Sequence, residues 1–337
     1  AHFQIALYTG NGTGQTITND GNSDLKPDFL WFKNRDETVA NTLWDSSRGI
    51  TKFLISEQTA AENTNPAGYE LTSFNTDGFG LGIHNTAGIN QNSSFTYVAW
   101  QWKANGGTTA SNTSGSITST VQANQDAGFS IYTYTGTGAA GTVGHGLGGL
   151  PEMIILKGRN TTSDWPVYID PQKDGSLQFP KLNGTEANIG NSPFTWDTTK
   201  FTFSSGSSYS NTSGTNYIAY AFRSIQGYSK IGSYVGNGNA NGPFVYLGFK
   251  PAWIMFKDIT NASSWRIVDS KRNPTNLVDK QLTANANSAE GTFPYVAVDF
   301  LSNGFKSRTT QAESNQSGSS YIYMAFAENP FTTSTGI

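Results

Sequence analysis

Three aspartates, Asp45, Asp170 and Asp269, each lie behind a tryptophan: Trp44, Trp165 and Trp265. Carboxylates can move protons and an indole face can stack on a sugar, so the pairing raises glycan chemistry first. Glycoside hydrolysis needs two carboxylates flanking one bond, one of them held protonated by its surroundings. These aspartates come one to a segment, and the middle segment offers no matched second acid. An aspartate at a strand end ordinarily caps a turn or pairs with a nearby arginine, here Arg48 or Arg272. A tryptophan recurring at one place in every segment fits a core role better than a sugar platform. All six residues are therefore expected to be structural, and none catalytic.

The other reactive groups point the same way. His2, His84 and His145 lie far apart and lack metal-ligand spacing. Asn75, Asp77 and Asn85 could gather around a cation, but the calcium-loop pattern of alternating acids is absent. The stretch 144–149 is glycine-rich, yet it carries no Lys-Ser/Thr and precedes a strand pattern, unlike a phosphate loop. There is no Gly-x-Ser-x-Gly elbow and no cysteine at all, which removes thiolate chemistry and cysteine-bound zinc. No catalytic residue, metal or cofactor is expected.

The elements that carry these residues are written three times. Tyr-x-Gly-x-Gly occurs at Tyr8, Tyr134 and Tyr234, and an apolar run ending in lysine starts at Pro27, Pro151 and Pro251. From tyrosine to proline is 19, 17 and 17 residues; from proline to aspartate is 18, 19 and 18. Each copy closes on an aromatic run, at Tyr97, Tyr217 and Tyr321. Such self-similarity sets the architecture before any single strand is assigned. Residues 29–33, nearly all apolar, read as a strand buried on both faces, with Pro27 at its mouth. Asp77-Gly78 and Asn303-Gly304 mark hairpins that the second copy replaces with Thr199-Lys200. Residues 276–289 could hold one helical turn, the only helical hint.

These patterns predict an all-β chain of three tandem antiparallel β-sandwich, jelly-roll-like repeats. Repeat 1 covers 1–103, a Gly/Ser/Thr/Asn-rich connector 104–127, repeat 2 128–223, and repeat 3 with a polar tail 224–337. Within the connector, residues 116–121 carry β-branched side chains and read as an ordered strand. Charged residues are 13% and the net charge is −3, which argues against a grip on nucleic acid. No apolar run reaches the length of a membrane span, and no signal peptide is visible. Ala1 is the kind of residue exposed by removal of an initiator methionine, so a natural start there is expected.

The wording resembles a repeat module of tailed-bacteriophage virion proteins. Residues 128–138, 143–148, 227–234, 242–253 and 321–331 carry that resemblance, and it covers nearly the whole chain. Modules of this kind occur in tail-fibre-like proteins, often beside concanavalin A-like lectin domains. The resemblance implies a non-enzymatic structural protein exposed on the virion, as capsid decoration or part of the tail or fibre. Alternatives are a carbohydrate-binding host-adhesion protein and, less well supported, a glycan depolymerase. Implied partners are other virion proteins, further copies of the chain, or a host surface glycan. A compact body imitating a trimer and a linear fibre of stacked units are the two arrangements expected.

Overall fold

The structure, a computed structural model, describes all residues except 93, 171–177, 189–193, 204–206, 293–294 and 329–337. Unit 1 contains β1 Phe3–Thr9, β2 Gln15–Ile17, β3 Phe29–Asn34, β4 Thr42–Asp45, β5 Lys52–Ile55, β6 Asn63–Thr64, β7 Leu71–Phe74, β8 Phe79–Leu81 and β9 Thr96–Trp102. Unit 2 contains β10 Ala110–Asn112, β11 Ser119–Asn124, β12 Phe129–Thr135, β13 Gly141–Gly144, β14 Met153–Gly158, β15 Val167–Ile169, β16 Phe194–Trp196, β17 Lys200–Phe203 and β18 Asn216–Phe222. Unit 3 contains β19 Ser229–Val235, β20 Phe244–Tyr246, β21 Pro251–Asp258, β22 Arg266–Asp269, β23 Lys280–Thr283, β24 Gly291–Thr292, β25 Val298–Leu301, β26 Gly304–Ser307, the single-turn α1 Ala312–Asn315 and β27 Ser320–Ala327.

The fold is all-β. Three large sheets run β1-β9-β3-β4-β5-β6, β10-β11-β12-β18-β14-β15 and β19-β27-β21-β22-β23-β24. Each is backed by a three-stranded sheet, β2-β8-β7, β13-β17-β16 or β20-β26-β25, and every strand-to-strand ladder is antiparallel. The alternation in β3, β14 and β21 explains how the units sit. Leu30 and Phe32, Ile154 and Leu156, and Ile254 and Phe256 fill the space between the two sheets of their own unit. Their neighbours Phe29 and Trp31, Met153 and Ile155, and Trp253 and Met255 point the other way into one core common to all three units. Each large sheet thus has both faces covered, which is why these antiparallel strands read as unbroken apolar runs. Phe29 stacks on Tyr220 of unit 2 at 4.3 Å, and Trp102 meets Trp253 of unit 3 edge-on at 5.6 Å.

The Tyr-x-Gly-x-Gly motif has a local physical cause. Tyr8, Tyr134 and Tyr234 stack on the closing tyrosines Tyr97, Tyr217 and Tyr321 at 5.0, 5.1 and 4.8 Å. Their hydroxyls donate to the carbonyls of Ile89, Ser210 and Ser314. A Cβ on Gly10, Gly136 or Gly236 would overlap the carbonyl oxygen of Gln91, Thr212 or Gln316, so the first glycine is forced by close backbone approach. A buried asparagine completes each loop. Asn90, Asn211 and Asn315 accept from the backbone N–H of Asn11, Thr137 and Asn237 at 3.0, 2.8 and 2.8 Å.

Three expectations are corrected. The connector is not a separate linker: β10 and β11 extend the unit 2 sheet, β11 pairing with β12 from Thr120↔Thr133 to Asn124↔Phe129. Residues 276–289 contain strand β23 and no helix, because 280–283 find ladder partners on β22 and β24; the helical turn sits at 312–315 instead. Two of the presumed matching positions are out of register. Phe29 faces Asp45 and Trp253 faces Asp269, but Met153 at the same place faces Ile169. Asp170 falls one residue later, its N–H bonded to Glu152 as those of Ser46 and Ser270 bond to Asp28 and Ala252. By the same register Trp165 and Trp265 match Asn41, while Trp44 matches Tyr168 and Val268. In the second unit the hairpin between β16 and β17 lacks a glycine; the Asp197 carboxylate instead accepts the N–H groups of Thr199 and Lys200.

Candidate functional site

Two of the three predicted aspartates, Asp45 and Asp269, lie at boundaries between units. Asp45 is fully buried and accepts from the Arg48 N–H at 2.9 Å, from Arg48 Nε at 2.6 Å and from the Tyr220 hydroxyl of unit 2 at 2.8 Å. Arg48 also reaches Glu62 at 3.1 Å, and Glu62 holds Arg159 of unit 2 through two bonds of 2.8 and 3.0 Å. Two acids face two guanidiniums, so the cluster is neutral in sum. Burial alone would drive Arg48 toward losing its proton, but the carboxylates of Asp45 and Glu62 outweigh it and raise its pKa. Burial likewise pushes Glu62 up, and its bonds to Arg159 and Arg48 bring it below the usual carboxylate range.

The boundary between units 3 and 1 repeats this arrangement. Asp269 accepts from the Arg272 N–H at 2.9 Å, from Arg272 Nε at 2.6 Å and from Trp100 Nε1 of unit 1 at 3.1 Å. Arg272 reaches Glu290 at 3.1 Å, and Glu290 holds Arg35 of unit 1 through bonds of 3.0 and 2.9 Å. The boundary between units 2 and 3 keeps the geometry, and among the described residues it shows no such ion network. Ile169 stands for the aspartate, Ile259 for the arginine, and Met324 for the aromatic partner. One backbone bond recurs at all three: Glu62 N–H to Arg159 C=O at 2.7 Å, Asn188 to Ile259 at 3.3 Å and Glu290 to Arg35 at 2.7 Å. The units therefore meet head to tail around a closed ring, each giving the same surface to the next.

The lysine ending each apolar run is a second ring fastening. Lys33, Lys157 and Lys257 donate to carbonyls of the preceding unit: Asn287 at 2.7 Å, Thr59 at 2.8 Å and Thr185 at 3.2 Å. Burial lowers all three pKa values to about 8. Trp165 Nε1 donates to Ile55 and Gln58, Trp265 Nε1 to Lys181, and Asn41 Nδ2 to Ala286, so this position also reaches into the preceding unit. Trp44 does not; its indole stays within unit 1, 3.2 Å from the Thr42 hydroxyl. Pro27, Pro151 and Pro251 are buried at the mouths of β3, β14 and β21. Asp170 is buried beside the strand end rather than in the boundary cluster.

The remaining candidates do not assemble. Asp77 accepts the Leu25 N–H, while Asn85 is tied to Glu70 and Asn65. His145 is buried with its pKa lowered by that burial, its ring nitrogens near the Asp197 carbonyl and the Leu147 N–H. Among the described residues no group of three or more histidines, aspartates or glutamates could hold a metal ion. A family profile matches residues 1–330, all three boundaries included. The chain belongs to the DUF7483 family, a domain of unknown function. The DUF7483 span therefore takes in the whole ring rather than one unit. No curated protein and no solved structure matches it.

Sequence reasoning missed the asparagines Asn90, Asn211 and Asn315 and the boundary partners Glu62, Arg159, Glu290 and Arg35, and it read the three lysines only as the ends of apolar runs. Each asparagine precedes its closing tyrosine by seven, six and six residues. Each lysine puts a charge directly after an unbroken apolar run.

Proposed function

We propose that the chain is a non-enzymatic structural component of a bacteriophage particle, exposed on its surface as capsid decoration or as part of the tail or fibre. The observation that carries this reading is the head-to-tail ring, in which one polypeptide presents three similar faces as a homotrimer would. Particles offer threefold sites, and symmetric sites are normally met by symmetric oligomers. Joining the three units in one chain replaces bimolecular assembly with tethered association at high effective concentration. The Asp45 and Asp269 carboxylates are committed to arginines inside the ring, which fits a structural role and gives a depolymerase no support. A carbohydrate-binding adhesin is the second reading. With Trp44, Trp165 and Trp265 fully buried, it rests on other exposed rings, such as Phe244, Tyr246 and Tyr295.

The test is a reconstruction of a particle whose genome encodes this chain. A three-lobed density seated on a threefold or trimeric site is expected. A complete particle without the chain would overturn the reading. Binding of the purified chain to host surface glycans, lost on Tyr246→Ala, would favour the adhesin.

A further inference from the structure

Unit 1 differs from the other two around its ring lysine. Lys33 and Asn41 stand opposite each other one step beyond the last ladder pair of β3 and β4, Phe32↔Thr42, on the face that holds Trp31 and Leu43. Side chains so placed have Cβ atoms about 5 Å apart. Lys33 Nζ donates to the Asn287 carbonyl of unit 3 at 2.7 Å, and Asn41 Nδ2 donates to the adjacent carbonyl, that of Ala286, at 2.9 Å. The amine and the amide are thus held against the same two residues, and both are buried.

A carboxyl group completes the set. Glu57 Oε2 accepts the Asn41 backbone N–H at 3.2 Å and Asn41 Nδ2 at 3.1 Å. Its other oxygen, Oε1, and Asn41 Oδ1 are both buried without a hydrogen-bond partner among the described residues. Two buried acceptors left unsatisfied cost free energy unless a proton reaches them. Burial supplies that bias, for it lowers the Lys33 pKa to about 8 and raises that of Glu57. The other units have neither partner. Lys157 lies 5.8 Å from the ring centre of Trp165, which stands where Asn41 does. The backbone N–H groups of Trp165 and Trp265 are accepted at 2.8 Å by Asn183 and Asn285, which stand where Glu57 does. In unit 1 an amide and a carboxyl group have thus come in together beside the same lysine.

We propose that Lys33 and Asn41 join in a covalent amide cross-link, made by the folded chain itself with Glu57 carrying the protons. Lys33 passes one proton to Glu57 and becomes a free amine. The Nζ lone pair attacks Asn41 Cγ, and the C–N bond forms as the C=O pair moves onto Oδ1. A second proton passes from Nζ to Nδ2, the Cγ–Nδ2 bond breaks and the C=O re-forms. Ammonia leaves and takes the proton held by Glu57, so the carboxylate is restored and nothing is oxidised or reduced. The link closes a loop that carries Arg35, whose bonds to Glu290 hold units 3 and 1 together. Because carbonyls of unit 3 position both reactants, the bond forms once the ring has closed.

Intact-mass spectrometry of the full folded chain reads the link directly. The mass is expected to fall below that of the sequence by one ammonia, not three, since units 2 and 3 offer their lysines an indole. Trypsin should then release a branched peptide joining residues 1–35 to residues 36–48. Lys33→Met and Asn41→Ala should each restore the sequence mass, and Glu57→Gln should leave most of the chain at it. Asn41→Asp should lose one water in place of ammonia. The sequence mass in the folded parent chain would overturn the proposal. So would an ammonia loss that persists in Lys33→Met, the mark of an asparagine cyclising on its own backbone. Complete reaction in Glu57→Gln would overturn the part given to Glu57.

Discussion

Among the described residues, two of the three boundaries in the ring carry buried ion networks and one does not, although their backbone geometry is shared. Where units 1 and 2 meet, Asp45, Arg48, Glu62 and Arg159 form a buried neutral network, and Asp269, Arg272, Glu290 and Arg35 do the same between units 3 and 1. Between units 2 and 3 the corresponding places hold Ile169, Ile259 and Met324. The comparison separates what makes the ring from what decorates it. Apolar packing in the common core, one backbone bond per boundary and a lysine to the preceding unit occur everywhere. The ion networks occur twice and are dispensable in principle, since a buried pair and a well-packed apolar replacement are often equal in stability. What the charges add is discrimination: an arginine network docked on an apolar face leaves buried charge unpaired.

The comparison can be broken most severely by mixing the two kinds of boundary. Arg272→Met strands Asp269 and should cost about 3–5 kcal/mol, as should Ile169→Asp, which buries a carboxylate with no guanidinium opposite among the described residues. Denaturant unfolding would measure both, and a loss under about 1 kcal/mol would mean that water reaches the boundary. Next come the loop asparagines: Asn315→Ala leaves the Asn237 N–H without its acceptor and should cost about 1–3 kcal/mol. Because that contact lies outside the boundaries, the loss should add to that of Arg272→Met. A smaller effect is expected when a charged boundary is converted whole. Asp45→Ile, Arg48→Met, Glu62→Asn and Arg159→Ile together should leave stability within about 1 kcal/mol of the parent, even though Arg48→Met alone is severe. A combined loss larger than that of Arg48→Met alone would show the networks to be indispensable.

The smallest effect is in pH. Lys33, Lys157 and Lys257 have pKa values near 8 when folded against an ordinary 10.5. Between these values the unfolded chain binds more protons, so stability should rise with pH from about 8 to about 10. Above that the trend reverses, because burial raises Tyr8, Tyr134 and Tyr234, and the unfolded tyrosines ionise first. Thermal melts across this range should show the rising limb, flattened in Lys157→Met. A stability that declines steadily from pH 8 would contradict the buried lysines.

Strand type, the tripled unit and the doubly buried β3, β14 and β21 are legible in the sequence, because steric and hydrophobic patterns repeat at fixed spacing. The position of Trp44 is not, and the spacing shows why. Trp165 and Trp265 both stand 14 residues after their proline, whereas Trp44 stands 17 after Pro27. Side chains alternate faces along a strand, so a shift of three moves Trp44 from the common core into the core of unit 1. Asp170, at 19 residues where the others have 18, is displaced by one in the same way. The ring itself is illegible from periodicity. Which unit receives Arg159 or Arg35 depends on contacts between residues far apart in the chain, and no local pattern records them.

The closed ring also fixes when the protein can become itself. Arg35 is tied to Glu290 across 255 residues of sequence, while Glu62 and Arg159, between units 1 and 2, are 97 apart. As the chain leaves the ribosome, unit 1 emerges with one flank satisfied by unit 2 and the other bare until unit 3 arrives. Its Trp100 has no partner for its indole N–H until Asp269 is made, so the ring can close only once unit 3 is in place.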